Sequence, residues 1–172
     1  MQITKRYLFS AIFLFALSCA ICSAQQVNPE NIPDGLLKII EQGSFARTYD
    51  LDGSVNPFYL RGDFDGDGKA DYAFRIKSKS EKASGIAIWL STKRKMLILG
   101  AGIPFTVSGS SVSNLDFLDI WRVYEKKTVE RGVGAPLPPR LLGEAILAGK
   151  SESASGLIYW NGKSFAWYQQ GD

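Results

Sequence analysis

Short hydrophobic runs alternate with polar and glycine-containing breaks from residue 58 onward. Runs of this length, rich in β-branched and aromatic residues and separated by turn formers, are typical of β-strands. The pattern predicts strands at 58–61, 72–78, 85–90, 96–99, 121–128, 141–148, 156–160 and 163–168. We therefore expect an α+β fold that is mostly antiparallel β-sheet.

The segment before these strands has a helical spacing instead. Between Asp34 and Gly43, apolar side chains recur as expected for one face of a helix, at Leu36, Leu37, Ile39 and Ile40. An aspartate can cap the N-terminus of a helix, and a glycine can end it. The pattern predicts one short N-terminal helix packed on the sheet.

Three segments between the predicted strands have patterns of their own. In 114–120, Leu115 and Leu118 have helical spacing, which predicts a short helix leading into the next strand. Segment 132–140 contains three prolines and is expected to be an extended surface loop, because proline cannot join a central strand ladder. The basic triplet 93–95 is expected to form a solvated turn.

The first 24 residues resemble a secretory signal peptide. Two basic residues precede an apolar run over 7–22, and the small residues Cys22 and Ala24 occupy the −3 and −1 positions before Gln25. We therefore expect cleavage before Gln25 and a periplasmic or secreted protein. Residues 25–172 are expected to form a single globular domain with no stable membrane span. A lipoprotein acylated at Cys19 is less favoured, because Ala16 stands where leucine is expected.

Composition excludes several classes of function. The chain has no histidine, which excludes Ser-His-Asp triads, histidine-ligated zinc and imidazole pH switches. Both cysteines lie within the predicted signal peptide, so the cleaved chain would have neither a disulfide nor a thiol nucleophile. Removing that segment lowers the formal charge from +3 to +1, and such a balance does not favour nucleic acid as a partner.

The segment that suggests a chemistry is Asp63-Phe64-Asp65-Gly66-Asp67-Gly68-Lys69-Ala70-Asp71. Carboxylates at alternate positions of a tightly turning loop can converge on one hard cation, and Ca²⁺ accepts six to eight oxygens. The expected ligands are the side chains of the four aspartates and the backbone carbonyl of Lys69. A metal-free turn is the alternative interpretation, because aspartate and glycine are also common turn formers.

Residues 62–74 of this segment resemble the calcium-binding core of FG-GAP and VCBS-type repeats, in a chain that looks like a small bacterial exported protein. The resemblance implies a strand-loop-strand unit that binds Ca²⁺ through Asp63, Asp65, Asp67 and Asp71. It does not imply a propeller, because the motif occurs once. Arg61-Gly62-Asp63 is also an integrin-recognition tripeptide, but a carboxylate engaged with calcium would be unavailable to an integrin.

A C-terminal hairpin supplies the candidate partner surface. Asn161-Gly162 predicts a two-residue turn that pairs Trp160 with Lys163. Alternation then places Tyr159 and Tyr168 on the face opposite the core, where their rings could contact a partner beside the proline-containing loop.

For function, these patterns favour an exported, calcium-stabilised binding or inhibitory module, acting on an unidentified protein or glycan of the cell envelope. A glycosidase-like envelope hydrolase is the less favoured alternative, because it would need two opposed carboxylates and no pair lies in a recognisable motif. Its candidate residues are Asp116, Asp119, Glu125, Glu130 and Glu144.

Overall fold

The computed structural model of this chain describes residues 27–41, 43–131 and 135–171. The predicted signal peptide, Cys19 and Cys22 lie outside the described residues, as does 132–134 of the proline-containing loop. The elements are a 3-10 helix (Pro29–Asn31), α1 (Asp34–Ile40), α2 (Gly43–Thr48), β1 (Tyr49–Leu51), β2 (Tyr59–Gly62), β3 (Asp71–Ser78), β4 (Ser84–Leu90), β5 (Lys95–Gly100), β6 (Phe105–Val107), β7 (Ser110–Val112), β8 (Ile120–Tyr124), β9 (Ala145–Gly149), β10 (Ser155–Trp160) and β11 (Phe165–Gly171).

The strands form two antiparallel sheets and one small hairpin. In the first sheet, β1 and β2 both pair with β3, and β4 and β5 follow on its other side. The second sheet has the order β11-β10-β9-β8, and β6 pairs with β7. Within the described ranges, these strands form neither a closed barrel nor a propeller. The expectation of a mostly antiparallel β fold is confirmed.

The two sheets pack face to face on a shared core. Alternate residues of β4 enter this core from the first sheet, and alternate residues of β9, β10 and β11 enter it from the second, as the period of a strand requires. Its members include Phe64, Ala73, Ile86, Ile88, Leu90, Trp121, Ile146, Ile158 and Phe165. The β2–β3 loop therefore begins at the edge of the intersheet core, where Phe64 is fully buried.

Each sheet also buries its outer face. The helical N-terminal region covers the first sheet, with Leu36 and Ile40 of α1 packed around Phe74 and Ile76 of β3. The second sheet is covered by residues of the segment that joins β8 to β9, including Val129 and Leu141.

The helical expectations need correction. The predicted helix is present as α1, which ends at Ile40, and an unpredicted second helix, α2, begins at Gly43, whose φ is +63°. Asp34 is the first residue of α1 and forms no side-chain cap, since Pro33 occupies the cap position. Residues 114–119 form a turn and not a helix, and β8 begins at Ile120. The helical spacing of Leu115 and Leu118 does mark two buried side chains.

The C-terminal hairpin has a different register from the predicted one. Trp160 pairs with Phe165, so the connection is 161–164 rather than a two-residue turn. The side chain of Asn161 causes the difference, because its Oδ1 accepts hydrogen bonds from the amides of Lys163 and Ser164, both at 2.9 Å. A shift of two residues keeps every side chain on the same face of the strand, so the predicted division into two faces is retained.

Candidate metal centre

The β2–β3 loop is shaped by two glycines in the left-handed region. Gly62 pairs with Asp71 where the two strands meet the loop. Between them, Gly66 has φ +79° and Gly68 has φ +82°, conformations that residues with a Cβ adopt at a cost. These turns fold the loop back on itself, and its alternate side chains can therefore point to one place.

Three carboxylates converge inside this loop. Oxygens of Asp63, Asp65 and Asp71 all lie within 4.8 Å of one another. Asp71 is fully buried, Asp65 is 6% exposed and Asp63 is half-buried. Oxygen atoms from three anionic groups at this spacing form a donor set suited to a hard divalent cation.

Backbone amides fix the orientation of Asp63. Its Oδ1 accepts hydrogen bonds from the amides of Gly66 at 2.8 Å and Asp67 at 3.0 Å, and its Oδ2 accepts one from Gly68 at 3.0 Å. A carboxylate offers about four acceptor positions, so the three amides leave space for a cation. The same contacts hold the aspartate of Arg61-Gly62-Asp63 within the loop.

Asp71 is held by amides from two different loops. Its Oδ1 accepts a hydrogen bond from Ser91 at 2.8 Å, and its Oδ2 accepts one from Phe64 at 3.1 Å. Burial raises the pKa of Asp71 to about 6, because these amides offset only part of the burial and the charges of Asp65 and Asp67 add to it. The buried carboxylate therefore lies in a region of excess negative charge.

Lys93 contacts this cluster from the β4–β5 turn. Its ammonium donates a hydrogen bond to Oδ2 of Asp65, whose side chain is fully buried, while the lysine side chain is 45% exposed. Among the described residues, Lys93 is the one cation that forms an ion pair with a member of this group, and its partner is Asp65. The solvated-turn expectation for 93–95 missed this contact, because proximity across 28 residues leaves no local sequence signal.

Asp67 and Lys69 lie at the exposed rim of the loop. Asp67 stands outside the group of three, and its Oδ1 accepts a hydrogen bond from the amide of Lys69 at 2.9 Å. A hydrogen bond from the side chain of Thr92 lowers the pKa of Asp67. The roles of Asp67 and the Lys69 carbonyl as ligands stay predictions.

The second sheet braces the loop through the segment that precedes β9. The amide of Glu144 donates to the carbonyl of Asp63, and Oε2 of Glu144 accepts a hydrogen bond from the Asp63 amide, both at 2.7 Å. Gly143 permits this approach, since a Cβ there would lie 2.2 Å from the Asp63 carbonyl oxygen. Sequence reasoning placed Glu144 among candidate catalytic residues and did not predict this bracing contact.

The expected exposure of the two hairpin tyrosines is wrong for Tyr168. That ring is 5% exposed, and its hydroxyl donates a hydrogen bond to the carbonyl of Pro136 at 3.1 Å. Tyr159 is half-buried and packs on the same outer core. The prediction assumed a solvated face, whereas the proline-containing segment and Leu141 cover this side of the sheet.

The carboxylates considered for hydrolysis have separate local partners. Asp119 accepts a hydrogen bond from the Ser151 amide at 2.6 Å, and Asp116 accepts one from the Asn114 side-chain amide at 2.7 Å. Glu125 and Glu130 are exposed.

The comparisons with protein-family models, curated proteins and solved structures gave no match to this chain. The resemblance to FG-GAP and VCBS-type repeats therefore rests on residues 62–74 alone. Among the described residues, none of the helices has the length and hydrophobicity needed to span a bilayer.

Proposed function

We propose that this protein is an exported binding module whose fold is stabilised by one Ca²⁺ ion in the β2–β3 loop. The convergence of the Asp63, Asp65 and Asp71 carboxylates within 4.8 Å carries the proposal. Asp67 and the carbonyl of Lys69 would complete the ligand set from the rim of the loop.

The donor set favours Ca²⁺ over Mg²⁺. All the proposed ligands are oxygens, and three of the four carboxylates already share one region of the loop. Magnesium requires near-ideal octahedral geometry and usually keeps several waters, whereas calcium accepts more protein oxygens in a flexible arrangement. A loop that supplies five protein ligands therefore suits the larger ion.

The ion would have a structural role. The loop connects two strands of the first sheet and is hydrogen-bonded to Glu144 at the start of the second. Holding Asp63 and Asp71 on a common ion would fix the end of β2, the start of β3 and the segment that precedes β9. Calcium would thereby stabilise the contact between the sheets.

The hydrogen bonds of the site's carboxylates favour a binding role over a catalytic one. These carboxylates accept hydrogen bonds from backbone amides in positions that suit a cation. Of the hydrolase candidates, Asp116 and Asp119 accept hydrogen bonds away from this site, and Glu144 contacts Asp63. The proposed partner is a protein or glycan of the cell envelope. Of the two tyrosines assigned to that contact, Tyr159 is the more exposed.

Calcium titration of chelator-treated protein tests the metal site. Isothermal titration should give one site, and thermal unfolding should shift upward with calcium, since a ligand that binds only the folded state stabilises it by about 2.7 kcal/mol at a concentration of 100 Kd. Asp65→Asn should abolish the shift, and Glu41→Gln, an exposed change in another region, should leave it intact. Absence of binding at millimolar calcium in the wild type would contradict the proposal.

The partner is tested with the mature chain immobilised in calcium and exposed separately to envelope proteins and to purified envelope glycans. Binding that survives the hydrolase-candidate change Asp119→Asn and weakens in Tyr159→Ala supports the module. Turnover of a bound glycan that is lost in Asp119→Asn would support the hydrolase alternative instead.

A further inference from the structure

Lys93 lies beside the candidate metal centre and forms an ion pair with one of its carboxylates. Its ammonium contacts Oδ2 of Asp65, one of the three converging carboxylates. The same ammonium lies 5.5 Å from the centre of the Trp160 ring, on β10 of the second sheet. One cationic group thus connects the acidic loop to an aromatic side chain of the C-terminal hairpin.

The position of this ammonium conflicts with a bound divalent cation. A calcium ion held by Asp65 and its neighbours would place two positive charges beside the ammonium, and like charges at such range repel. Lys93 is able to move, because its side chain is 45% exposed and extends from a turn. Asp65 has no such freedom, since its side chain is fully buried.

We propose that Lys93 is a tethered competitor for the metal site, which neutralises Asp65 when the loop is metal-free and sets the calcium affinity by having to be displaced. This inference rests on the proposed calcium site and adds the residue that regulates it. The displaced ammonium keeps a favourable neighbour, because the face of a tryptophan ring attracts a cation. Trp160 therefore retains the side chain near the site and reports its departure from Asp65.

The first experiment measures calcium affinity at low ionic strength in four proteins: the wild type, Lys93→Met, Lys93→Arg and the matched control Lys95→Met. Lys93→Met removes the positive charge at similar side-chain length and should bind calcium about tenfold more tightly. Lys93→Arg keeps the charge and should stay close to the wild type. Lys95 is an exposed cation two residues away without a contact to the cluster, so its substitution should have little effect.

The second experiment measures the melting temperature without calcium, where Lys93→Met should be harmful although it improves calcium binding. Without calcium, Lys93→Met leaves Asp65 buried and unpaired, so its melting temperature should fall below that of the wild type. With saturating calcium the difference should close or reverse. A lysine that serves only as a structural contact would lower stability in both conditions and would not tighten calcium binding.

Tryptophan emission tests the displacement itself. Calcium should change the emission of the wild type, and the change should be absent in both Lys93→Met and Trp160→Phe. Equal calcium affinities in the wild type and Lys93→Met, or an unchanged emission response in Lys93→Met, would overturn the inference while leaving the calcium site in place. Calcium binding by none of the proteins would overturn both proposals. Binding by Lys93→Met alone would support the competitor but contradict the calcium site proposed for the wild type.

Discussion

Strand β3 carries two buried charged groups that are compensated in different ways. At its start, Asp71 lies with Asp63 and Asp65, and within the described ranges this cluster has one ion-pair partner, Lys93. Four residues later, Arg75 is 2% exposed and lies 3.6 Å from Asp52. Arg75 thus faces an acidic partner, whereas in the cluster of three carboxylates only Asp65 has an ion-pair partner among the described residues.

Burial acts on the two groups in opposite directions. It lowers the pKa of Arg75, against the charges of Asp52 and Asp116, and it raises the pKa of Asp71 to about 6. Arg75 donates long hydrogen bonds of 3.4 Å to the carbonyl of Leu115, and its Nε has no partner among the described residues. Arg75 thus has an acidic partner but leaves one buried donor, Nε, unsatisfied, whereas the aspartate cluster has more carboxylates than ion-pair partners among the described residues.

The largest effect should come from removing the buried charge of Arg75, which is paired with Asp52. Arg75→Met leaves Asp52 without its buried partner, and breaking such a pair costs about 3 kcal/mol. Urea denaturation should show this loss with chelator and with calcium alike, because Arg75 is outside the metal loop. Arg122→Met, an exposed change on β8, should stay within about 0.5 kcal/mol of the wild type. A loss at Arg75 that disappears with calcium would mean that the two groups are coupled.

A second change tests whether the acidic loop depends on its brace from the other sheet. Gly143→Ala would place a Cβ against the Asp63 carbonyl and should destabilise the protein by about 2 kcal/mol. It should also weaken calcium binding, because Asp63 must shift. Gly35→Ala in α1 is the matched control, since a Cβ there has nothing within 4 Å. Unchanged calcium affinity in folded Gly143→Ala would show that the loop holds its shape alone.

Much of the fold could be predicted from the sequence, because strand patterns are local. Each predicted strand has an observed counterpart, and the pattern correctly indicates which hairpin residues face the core between the sheets. The strands that were missed, β1, β6 and β7, have three residues each, too short for a clear alternation. The turn at Asn161 was mispredicted because a side-chain hydrogen bond favoured the longer connection.

In the candidate site too, features that arise within one segment could be predicted, and contacts between distant segments could not. The convergence of Asp63, Asp65 and Asp71 could be expected from their spacing, since one loop supplies them. The contacts of Lys93 and Glu144 could not, because they come from segments 28 and 81 residues away from their partners in the loop. Burial of Tyr168 was missed for a related reason: the cover over its sheet comes from a loop without strand or helix periodicity.

A smaller effect is expected from the residue that holds Asp116 in place. Asn114 donates a hydrogen bond to Asp116 at 2.7 Å and accepts one from the Ser84 amide at 2.9 Å, so Asn114→Ala should cost about 1 kcal/mol.

The loss of stability in Asn114→Ala should depend on pH in a direction that the pKa of Asp116 sets. Burial raises the pKa of Asp116, but hydrogen bonds from Ser84 and Asn114 and nearby cations hold it below its usual 3.8. A lowered carboxyl pKa contributes stability above the unfolded value that is lost as the pH falls through the folded value. The difference between wild type and Asn114→Ala in urea should therefore narrow below about pH 4. A difference that widens with acid would contradict this charge role for Asp116.

The smallest effect should come from removing an exposed ion pair, in contrast to the buried charge of Arg75. Lys79 lies 3.2 Å from Asp50, with side chains 41% and 66% exposed. Because exposed pairs are screened by water, Lys79→Met should cost about 0.5 kcal/mol, with part of that from its hydrogen bond to the Ala46 carbonyl. Added salt should reduce the cost further. Urea denaturation beside Arg75→Met makes the comparison direct: a cost for Lys79→Met equal to that of Arg75→Met would mean that burial does not decide what a charged group contributes in this protein.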